Sequence, residues 1–421
     1  MSGAVSLAGR ATWLKSKTLR HLLAVLSESG EEARVVGGAV RNALLGQPVT
    51  EVDIATTTLP EETVRRVEAA GFRAVPTGFE HGTITVVAGG KGYEVTTLRD
   101  DVETDGRRAK VRFGRDWKRD AERRDFTINA LYATRAGGVV DLVGGLADLE
   151  SRTVRFIGDP ETRIREDFLR ILRFFRFFAW YGSGRPDADG LKACARLKEG
   201  LDLLSAERVW SELKKLLQAA DPSRALLWMR QAGVLSRIVP ETEKWGIDLI
   251  HPLVRTEADL GWGTDALLRL EALLPPDPSR VAGLAERLRV ASAESARLKA
   301  WATGLPVDPK TADRVLAQRL YEGNRQAILD RLRLALASAR GRAAVDDAAL
   351  IEAGSLSRLL AFAEKWEKPV FPLRGRDLQE QGFAEGPRLG RVLKILEAEW
   401  LASGFALDRA ELIERARTIA L

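Results

Sequence analysis

The periodicity of the chain changes near residue 160, and this change limits the folds that it can adopt. Residues 31–150 are rich in Gly, Val and Thr. Alternating patterns there predict strands at Ala33–Val36, Val52–Ala55, Gly82–Ala88, Tyr93–Leu98 and Val139–Leu142, and helices at Val40–Leu45 and Glu61–Ala70. From Glu161 onward apolar residues recur every three or four positions and strand patterns almost disappear. We therefore predict an α+β chain: a head with a mixed sheet and helices, followed by an all-α arm.

Local signals refine this outline. Thr58 is expected to cap the second helix, with Pro60 in its first turn. Residues 100–120 mix basic and acidic side chains with Gly106 and Gly114, which predicts a mobile charged loop. Breaks between helices of the arm are predicted at Gly182–Gly190, Asp221–Ser223, Pro275–Pro278, Gly304–Asp308 and Lys368–Arg376.

Composition excludes several classes of protein. Hydrophobic residues make up 45% and charged residues 29% of the 421 residues, so the chain can bury cores and is not disordered throughout. Cys194 is the one cysteine, and no intramolecular disulfide or Cys/His zinc site is expected. The net charge of +6 permits a polyanionic partner without requiring one. We find no apolar run of about 18 residues, and expect a cytoplasmic protein without a membrane partner.

Two motifs in the head indicate phosphate and metal chemistry. Gly37 and Gly38 end a predicted strand and begin a predicted helix, so backbone N–H groups can approach a triphosphate. Glu51 and Asp53 lie two apart on a predicted strand and face the same side. Paired carboxylates repel unless cations compensate them, and Mg²⁺ prefers oxygen ligands. If the strand of Glu94 pairs beside this one, three carboxylates converge, as two-metal nucleotidyl transfer requires. Alone, a Gly-Gly turn or an acidic pair is usually structural.

Charged residues farther along the head indicate nucleotide binding. Arg123 and Arg124 offer bidentate donors to phosphate, and Asp125 offers an acceptor to a ribose hydroxyl. The alternative is a charged helix start.

A later segment is predicted to recognise the base. Asp167 and Arg170 are three apart on a predicted helix and share a face, so together they present an acceptor and donors to a base edge. Their spacing alone favours an ordinary intrahelical ion pair of Glu166 or Asp167 with Arg170. The aromatic residues that follow have helical spacing and are expected mostly in the core, although aromatic rings can also stack on bases: Phe174, Phe175, Phe177, Phe178, Trp180 and Tyr181.

Taken in order, the motifs resemble the nucleotidyltransferases of polymerase β type. They resemble most the class II, or bacterial-type, CCA-adding tRNA nucleotidyltransferases and their poly(A) polymerase relatives. The motifs cover about residues 30–220: Gly37–Asn42, Leu44–Gly46, Glu51–Thr56, His81–Thr83, Glu94–Arg99, Arg123–Ala130, Asp141–Asp148, Glu166–Arg170 and Glu207–Trp210.

The resemblance implies a polymerase-β-type nucleotidyltransferase head at 1–150, a neck with the base-recognition helix at 151–225, a body at 226–310 and a tRNA-binding tail at 311–421. It implies addition or repair of the 3′-CCA of tRNA from CTP and ATP, with two Mg²⁺ ions held by Glu51 and Asp53. The implied catalytic residues are Glu51, Asp53 and Glu94. The implied nucleotide-binding residues are Gly37, Gly38, Arg41, Arg123, Arg124, Asp125, Asn129, Asp167, Arg170, Arg173 and Arg176.

The chain departs from the family pattern at two positions. The family usually has Asp where this chain has Glu51, and commonly where it has Asn42; Glu51 extends its carboxylate by about 1.5 Å. Two alternatives therefore stay open: a poly(A) polymerase on the same scaffold, and a tRNA-binding homologue with impaired catalysis. In the family, a flexible loop like that of residues 100–120 accompanies full CCA addition.

The end of the arm carries one further candidate. Gly386-Pro387 is predicted to open a helix, and nearby arginines are expected to contact tRNA phosphates: Arg374, Arg376, Arg388 and Arg391. An ordinary helix-packing element explains the segment equally well. The sequence points to no obligate protein partner.

Overall fold

The computed structural model describes residues 5–105, 108–243 and 245–419, and for residues 100–105 and 108–111 it describes only the course of the backbone. The chain forms two compact units, Met1–Pro240 and Glu241–Leu421. The finer division into head, neck, body and tail stays a prediction. Across the described ranges, no helix combines the length and the apolar character that a membrane span requires.

A seven-stranded mixed sheet forms the centre of the first unit. The strands of the unit are β1 (Ala33–Val36), β2 (Asp53–Thr56), β3 (Arg73–Gly78), β4 (Thr83–Ala88), β5 (Lys91–Thr97), β6 (Arg99–Asp105), β7 (Arg108–Phe113), β8 (Leu131–Ala133) and β9 (Val139–Asp141). The sheet order is β3-β4-β5-β2-β1-β8-β9. β2 pairs in parallel with β5 and antiparallel with β1. The predicted pairing of the Asp53 and Glu94 strands is therefore confirmed.

All five predicted strands are present within one or two residues of their predicted ends, but two further strands of the sheet were not predicted. β3 contains Pro76 and Gly78, which weaken a strand signal and are tolerated here because β3 lies at an edge of the sheet. β8 has only three residues, all buried, so it shows no alternation of polar and apolar positions.

The segment predicted as a mobile charged loop is instead largely regular. β6 and β7 pair antiparallel as a separate two-stranded sheet, and a short helix follows at Trp117–Glu122. The many charged residues of this segment obscured the strand pattern in the sequence. Gly106 and Arg107, which follow β6 in the sequence, lie outside the described residues.

Helices surround the sheet and continue beyond it. They are α1 (Lys17–Val25), α2 (Gly38–Leu44), α3 (Pro60–Ala69), α4 (Trp117–Glu122), α5 (Gly145–Glu150), α6 (Pro160–Glu166), α7 (Leu169–Tyr181), α8 (Ala188–Arg196), α9 (Ala206–Leu217), α10 (Ser223–Gln231) and α11 (Val234–Ile238). The four phenylalanines of α7 are buried, as predicted. The expected cap at Thr58 is wrong: Leu59 is the N-cap residue of α3, and the Thr58 hydroxyl donates to the Leu26 carbonyl at 2.9 Å. Pro60 does occupy the first turn.

The described residues of the second unit are helical, without strands. The helices are α12 (Ile250–Leu260), α13 (Ala266–Glu271), α14 (Pro278–Arg287), α15 (Ser292–Thr303), α16 (Asp313–Glu322), α17 (Arg325–Arg342), α18 (Asp347–Lys365), α19 (Gly375–Gln379), α20 (Pro387–Ala402) and α21 (Arg409–Ile419). Each of the five predicted breaks covers a gap between two helices, but four of them extend one to three residues into the helix that follows.

The C-terminal helices pack on one another and also expose basic side chains. Leu378, Leu396, Trp400 and Leu412 belong to one apolar core formed by α19, α20 and α21. The packing alternative is thus correct for the apolar residues of this segment. The four predicted tRNA-contacting residues are exposed: Arg374, Arg376, Arg388 and Arg391.

Candidate active site

An open cleft of about 630 Å³ in the first unit brings together most of the predicted site residues. Twelve of them line it: Gly37, Gly38, Arg41, Glu51, Asp53, Arg124, Asp125, Asn129, Asp167, Arg170, Arg173 and Arg176. Glu94 and Arg123 do not line the cleft. Leu169, Phe177 and Arg208 line it without having been predicted as site residues.

The carboxylates lie at the start of β2. Asp53 is the first residue of the strand, whereas Glu51 precedes the strand and is exposed. The pairing of Ile54 with Val95 places Glu94 beside Asp53 on the neighbouring strand. Burial, followed by the charges of Glu94 and Glu51, raises the pKa of Asp53 to about 6, and the opposing charge of Arg124 does not offset them. The charges of Glu51 and Glu94 therefore act on Asp53, and negative charge is in excess around it.

This donor set suits a hard divalent cation. The groups are carboxylate oxygens, which Mg²⁺ prefers, and the excess charge around Asp53 favours a cation there. Within the described part of the chain, no three Asp, Glu, His or Cys side chains are spaced as a ready-made metal site. Mg²⁺ is usually bound by one or two carboxylates together with substrate phosphates. Glu94 acts on Asp53 through its charge.

The turn between β1 and α2 lines part of the cleft, and because its residues are Gly37 and Gly38 it contributes only main-chain atoms. Gly37 has φ 74°, which a residue with a side chain adopts only with strain. A Cβ at Gly37 would lie 3.5 Å from the carbonyl oxygen of Asn129, so the turn also packs closely against that segment. The glycine pair thus joins the end of β1 to the start of α2 beside the cleft, as predicted, with Gly37 buried and Gly38 partly exposed.

A chain of hydrogen bonds crosses the floor of the cleft. The buried Arg41 donates to the Asn129 side-chain oxygen, and Asn129 Nδ2 donates to Asp125 Oδ1 at 3.1 Å. Arg173 donates to Asp125 Oδ2 through Nε at 2.7 Å and Nη2 at 2.5 Å. Burial raises the pKa of Asp125, but the charge of Arg173 and these hydrogen bonds outweigh it and hold the pKa below its usual value. Asp125 is therefore an ionised acceptor.

Asn42 and Tyr181 orient Arg41. Asn42 Oδ1 accepts from Arg41 Nε at 3.1 Å and Nη2 at 2.9 Å, and Asn42 Nδ2 donates to the Pro48 carbonyl. Arg41 Nη2 also donates to the Tyr181 hydroxyl at 2.7 Å, and the guanidinium lies over the Tyr181 ring at 3.9 Å. Asn42, Asn129 and the Tyr181 hydroxyl are neutral acceptors, so the opposing charge that acts on Arg41 comes from Asp125, which it does not contact directly.

Asp120 holds the two neighbouring arginines. Its buried carboxylate accepts from Arg123 Nε at 2.8 Å, from Arg124 Nη2 at 3.2 Å and from the Tyr132 hydroxyl at 2.8 Å. Burial raises the pKa of Asp120, but the charges of Arg124 and Arg123 outweigh it, so the pKa is lowered. Asp120 was missed because it sits in the segment predicted as a loop.

The predicted helical pair of Asp167 and Arg170 is wrong in its geometry. α6 ends at Glu166 and α7 begins at Leu169, and Asp167 between them has extended backbone angles, φ −158° and ψ 108°. Asp167 Oδ2 accepts from Arg208 Nη2 at 2.6 Å. Arg170 instead pairs with Glu166, as the ion-pair alternative proposed. Both residues nevertheless line the same cleft.

Arg176 and Phe177 complete one side of the cleft. Arg176 Nε lies 2.5 Å from Glu212 Oε2 and its guanidinium lies over the Phe177 ring at 4.2 Å. Glu212 and Arg208 both belong to α9, so this helix holds Arg176 within α7 and Asp167 just before it. Arg208 falls within a motif that carried the family resemblance, but no local pattern connects it to Asp167, 41 residues away.

Known proteins resemble this chain along nearly its full length. Residues 33–155 match the family described as "Poly A polymerase head domain", and residues 186–245 match "Probable RNA and SrmB- binding site of polymerase A". The chain is 32% identical over 407 residues to the mitochondrial CCA tRNA nucleotidyltransferase 1 of Mus musculus, covering 95% of this chain and 90% of the relative. It is 35% identical over 390 residues to the CCA-adding enzyme of Streptococcus gordonii, covering 89% and 90%.

A solved structure extends the similarity to the fold. The Bacillus stearothermophilus CCA-adding enzyme in complex with CTP matches with a TM-score of 0.61 at 28% identity, covering 96% of this chain and 98% of that one. The ordered motifs, the mixed sheet with its helical continuation and these similarities agree. The chain belongs to the family of CCA-adding tRNA nucleotidyltransferases.

Proposed function

We propose that this chain adds or repairs the 3′-terminal CCA of tRNA, using CTP and ATP and releasing pyrophosphate. The observation that carries the proposal is the single cleft in which Glu51 and Asp53 lie with the buried network of Arg41, Asn129 and Asp125. Nucleotidyl transfer needs both a metal-binding edge and a cationic nucleotide-binding surface, and the cleft provides both.

Glu51 and Asp53 would hold Mg²⁺. When bound, the ions neutralise the triphosphate and favour ionisation of the attacking hydroxyl. The negative charge of Glu94 acts on Asp53 from the neighbouring strand, and this added negative charge would strengthen cation binding at the start of β2. The attacking group is the 3′-hydroxyl of tRNA, so no covalent enzyme intermediate is expected.

The remaining residues of the cleft would bind and orient the nucleotide. Gly37 and Gly38 admit phosphate oxygens to the backbone at the start of α2, and Arg41 adds charge there. Arg124 and its neighbour Arg123, both held by Asp120, extend this positive surface. Asp125, kept ionised by Arg173, would accept from a ribose hydroxyl and so favour ribonucleotides.

Base recognition would depend on Asp167 and Arg170, each held by its own partner. Arg208 holds Asp167, and Glu166 holds Arg170, so the two side chains are fixed independently. Arg176, held by Glu212, would orient the nucleotide beside them. In this arrangement an acceptor and a cluster of donors face the same cleft, as recognition of a base edge requires.

Exposed arginines of the second unit would contact the tRNA backbone. Arg374, Arg376, Arg388 and Arg391 lie on the surface around α19 and α20. Exposed guanidinium groups pair with phosphates irrespective of sequence, which suits a substrate recognised by shape.

A poly(A) polymerase is the second candidate, because residues 33–155 match a family described as a poly(A) polymerase head domain. Such an enzyme would extend RNA with ATP alone and without a fixed end point.

An extension assay separates these candidates. Purified protein is incubated with Mg²⁺ and tRNA transcripts that end before CCA, after the first C or after CC, with CTP, ATP, GTP and UTP given singly and in pairs. We expect addition of C, C and A followed by a stop. A ladder of A on any RNA would support the poly(A) polymerase, and binding of tRNA without addition would support the impaired homologue.

A further inference from the structure

A small pocket in the second unit has no role in the proposed chemistry. It encloses about 240 Å³ and is lined mostly by apolar side chains, including Trp245, Leu274 and Trp301. Glu271, the last residue of α13, and Arg331 of α17 also line it. The pocket is therefore apolar with a few polar groups, the composition typical of sites for small aromatic groups.

Two polar groups in this pocket lack partners. Glu271 is 1% exposed, and both of its carboxyl oxygens are buried without a hydrogen bond. Trp301 is 2% exposed, and its indole N–H is likewise buried without an acceptor. Buried polar groups are nearly always hydrogen-bonded. Two unpaired polar groups among the residues of one pocket therefore indicate that a ligand supplies their hydrogen bonds.

The charges around Glu271 define what this partner must offer. Burial and the neighbouring charge of Asp330 raise the pKa of Glu271 to about 10, and Arg297 and Arg331 do not offset them. At neutral pH Glu271 is thus a carboxylic acid that offers one O–H donor and one acceptor oxygen. With Glu271 protonated, the described residues that line the pocket carry no negative charge, and an organic cation would meet the positive charge of Arg331.

The aromatic side chains favour a flat ring. Trp245 is 41% exposed at the pocket, and an exposed indole provides a stacking surface. Arg331 lies over the Trp301 ring at 5.3 Å and donates to the Trp301 carbonyl at 2.9 Å. Its guanidinium adds positive charge beside the rings, which suits a ring that is joined to a phosphate.

Resting on the proposed function, which makes RNA the substrate, we propose that this pocket binds one unpaired nucleobase of the bound RNA. Nucleobases present a donor and an acceptor side by side on their pairing edge, and this pattern complements the carboxylic acid of Glu271. The indole N–H of Trp301 offers a further donor, and Trp245 stacks on the ring. The second unit would then recognise an exposed base in addition to backbone phosphates.

The test compares tRNA binding and protein stability in the full-length chain. Glu271→Leu removes the hydrogen-bonding edge, and we expect it to weaken binding of a tRNA lacking CCA roughly tenfold. The same variant should raise the Tm of the free protein, because it removes an unpaired buried polar group. Glu271→Gln keeps a donor and an acceptor and should bind within about threefold of wild type. Glu367→Leu, at an exposed glutamate, is the matched control.

Chemical probing identifies the base. Dimethyl sulfate modifies the pairing edges of unpaired A and C, and a carbodiimide reagent modifies those of unpaired G and U. We expect one nucleotide outside the 3′ end to be protected by wild type and by Glu271→Gln but not by Glu271→Leu. If Glu271→Leu fails to fold, Trp245→Ala at the exposed indole tests the same protection.

Two results would overturn the proposal. One is unchanged tRNA affinity and an unchanged protection pattern in Glu271→Leu. The other is binding of free nucleosides, detected by quenching of tryptophan fluorescence, that does not compete with tRNA. CCA addition by the wild type is measured on the same tRNA. If it occurs while Glu271→Leu behaves as wild type, only the pocket proposal fails; if it does not occur, the proposed function fails.

Discussion

Asp167 accepts a hydrogen bond from Arg208, 41 residues further along the chain and 2.6 Å away. This contact ties the segment between α6 and α7 to α9. Asp167 lies outside regular helix, so its side chain depends on this tertiary contact for its position. Under the proposed function, Arg208 is consequently a positioning residue for base recognition.

Arg208→Gln should impair nucleotide selection. Loss of a charge-assisted hydrogen bond to Asp167 costs about 1.5–3 kcal/mol, so kcat/KM for CTP and ATP should fall at least about tenfold. Misincorporation of UTP and GTP should rise. Single-nucleotide addition measures both quantities, with CTP on tRNA that ends after the first C and ATP on tRNA that ends in CC, and the exposed Arg65→Gln serves as control. Unchanged selectivity would show that Arg208 has only a structural role.

Substitutions at Glu51 test its role at the metal edge. Glu51→Gln removes one negative charge and should lower kcat by about a hundredfold or more, equivalent to about 2.7 kcal/mol. Glu51→Asp should keep activity within about tenfold of wild type, because the exposed segment before β2 can adjust to a shorter side chain. Rates at several Mg²⁺ concentrations measure the effect. Equal activity of Glu51→Gln and wild type would remove Glu51 from the metal site.

Asn129→Ala should weaken the discrimination between ribonucleotides and deoxyribonucleotides. Asn129 joins Arg41 to Asp125, so its loss leaves Asp125 with one fewer donor and frees its orientation. We expect the preference for CTP over dCTP to fall about tenfold. Competition between the two nucleotides gives this ratio directly, and Arg173→Lys should shift it the same way. A ratio equal to that of wild type would contradict a ribose-binding role for this network.

Stability should depend on pH through Glu271. Its pKa is about 10 in the folded state, against 4.5 as the ordinary value, so the folded state retains a proton that the unfolded state releases. The stabilising contribution is complete below pH 4.5 and is lost as pH rises towards 10, by at most about 1.4 kcal/mol per pH unit. The Tm of wild type should therefore fall relative to Glu271→Gln between pH 5 and 8. If the Tm of wild type and of Glu271→Gln changed in parallel with pH, the raised pKa of Glu271 would be contradicted.

Two glycine substitutions should have opposite effects. A Cβ at Gly145, where α5 begins, would lie 2.3 Å from the Thr127 carbonyl oxygen. Gly145→Ala should therefore destabilise the chain by about 1–3 kcal/mol. Gly283 lies within α14 with no heavy atom within 4 Å of such a Cβ, so Gly283→Ala should stabilise by about 0.5–1 kcal/mol. Thermal unfolding compares the two variants, and equal shifts would contradict the packing argument.

Local sequence patterns correctly predicted the features that depend only on residues close together in the chain. The turn at Gly37-Gly38, the strand of Asp53 and the breaks between helices all follow from periodicity and turn residues. The partners of Asp167 and Asp125 depend on how distant segments pack, so sequence spacing suggested Arg170 where the structure has Arg208. β3 and the β6–β7 hairpin lacked the apolar alternation that identifies a strand, and their pairing appears only in the folded sheet.

Among the described residues, all fifteen that line the candidate active-site cleft precede Pro240, where the first compact unit ends. A ribosome therefore synthesises these fifteen residues before it reaches Glu241. Substitutions from Glu241 onward leave the identity of each of these side chains unchanged. Under the proposed function, selection can therefore act on RNA binding by the second unit separately from nucleotidyl transfer.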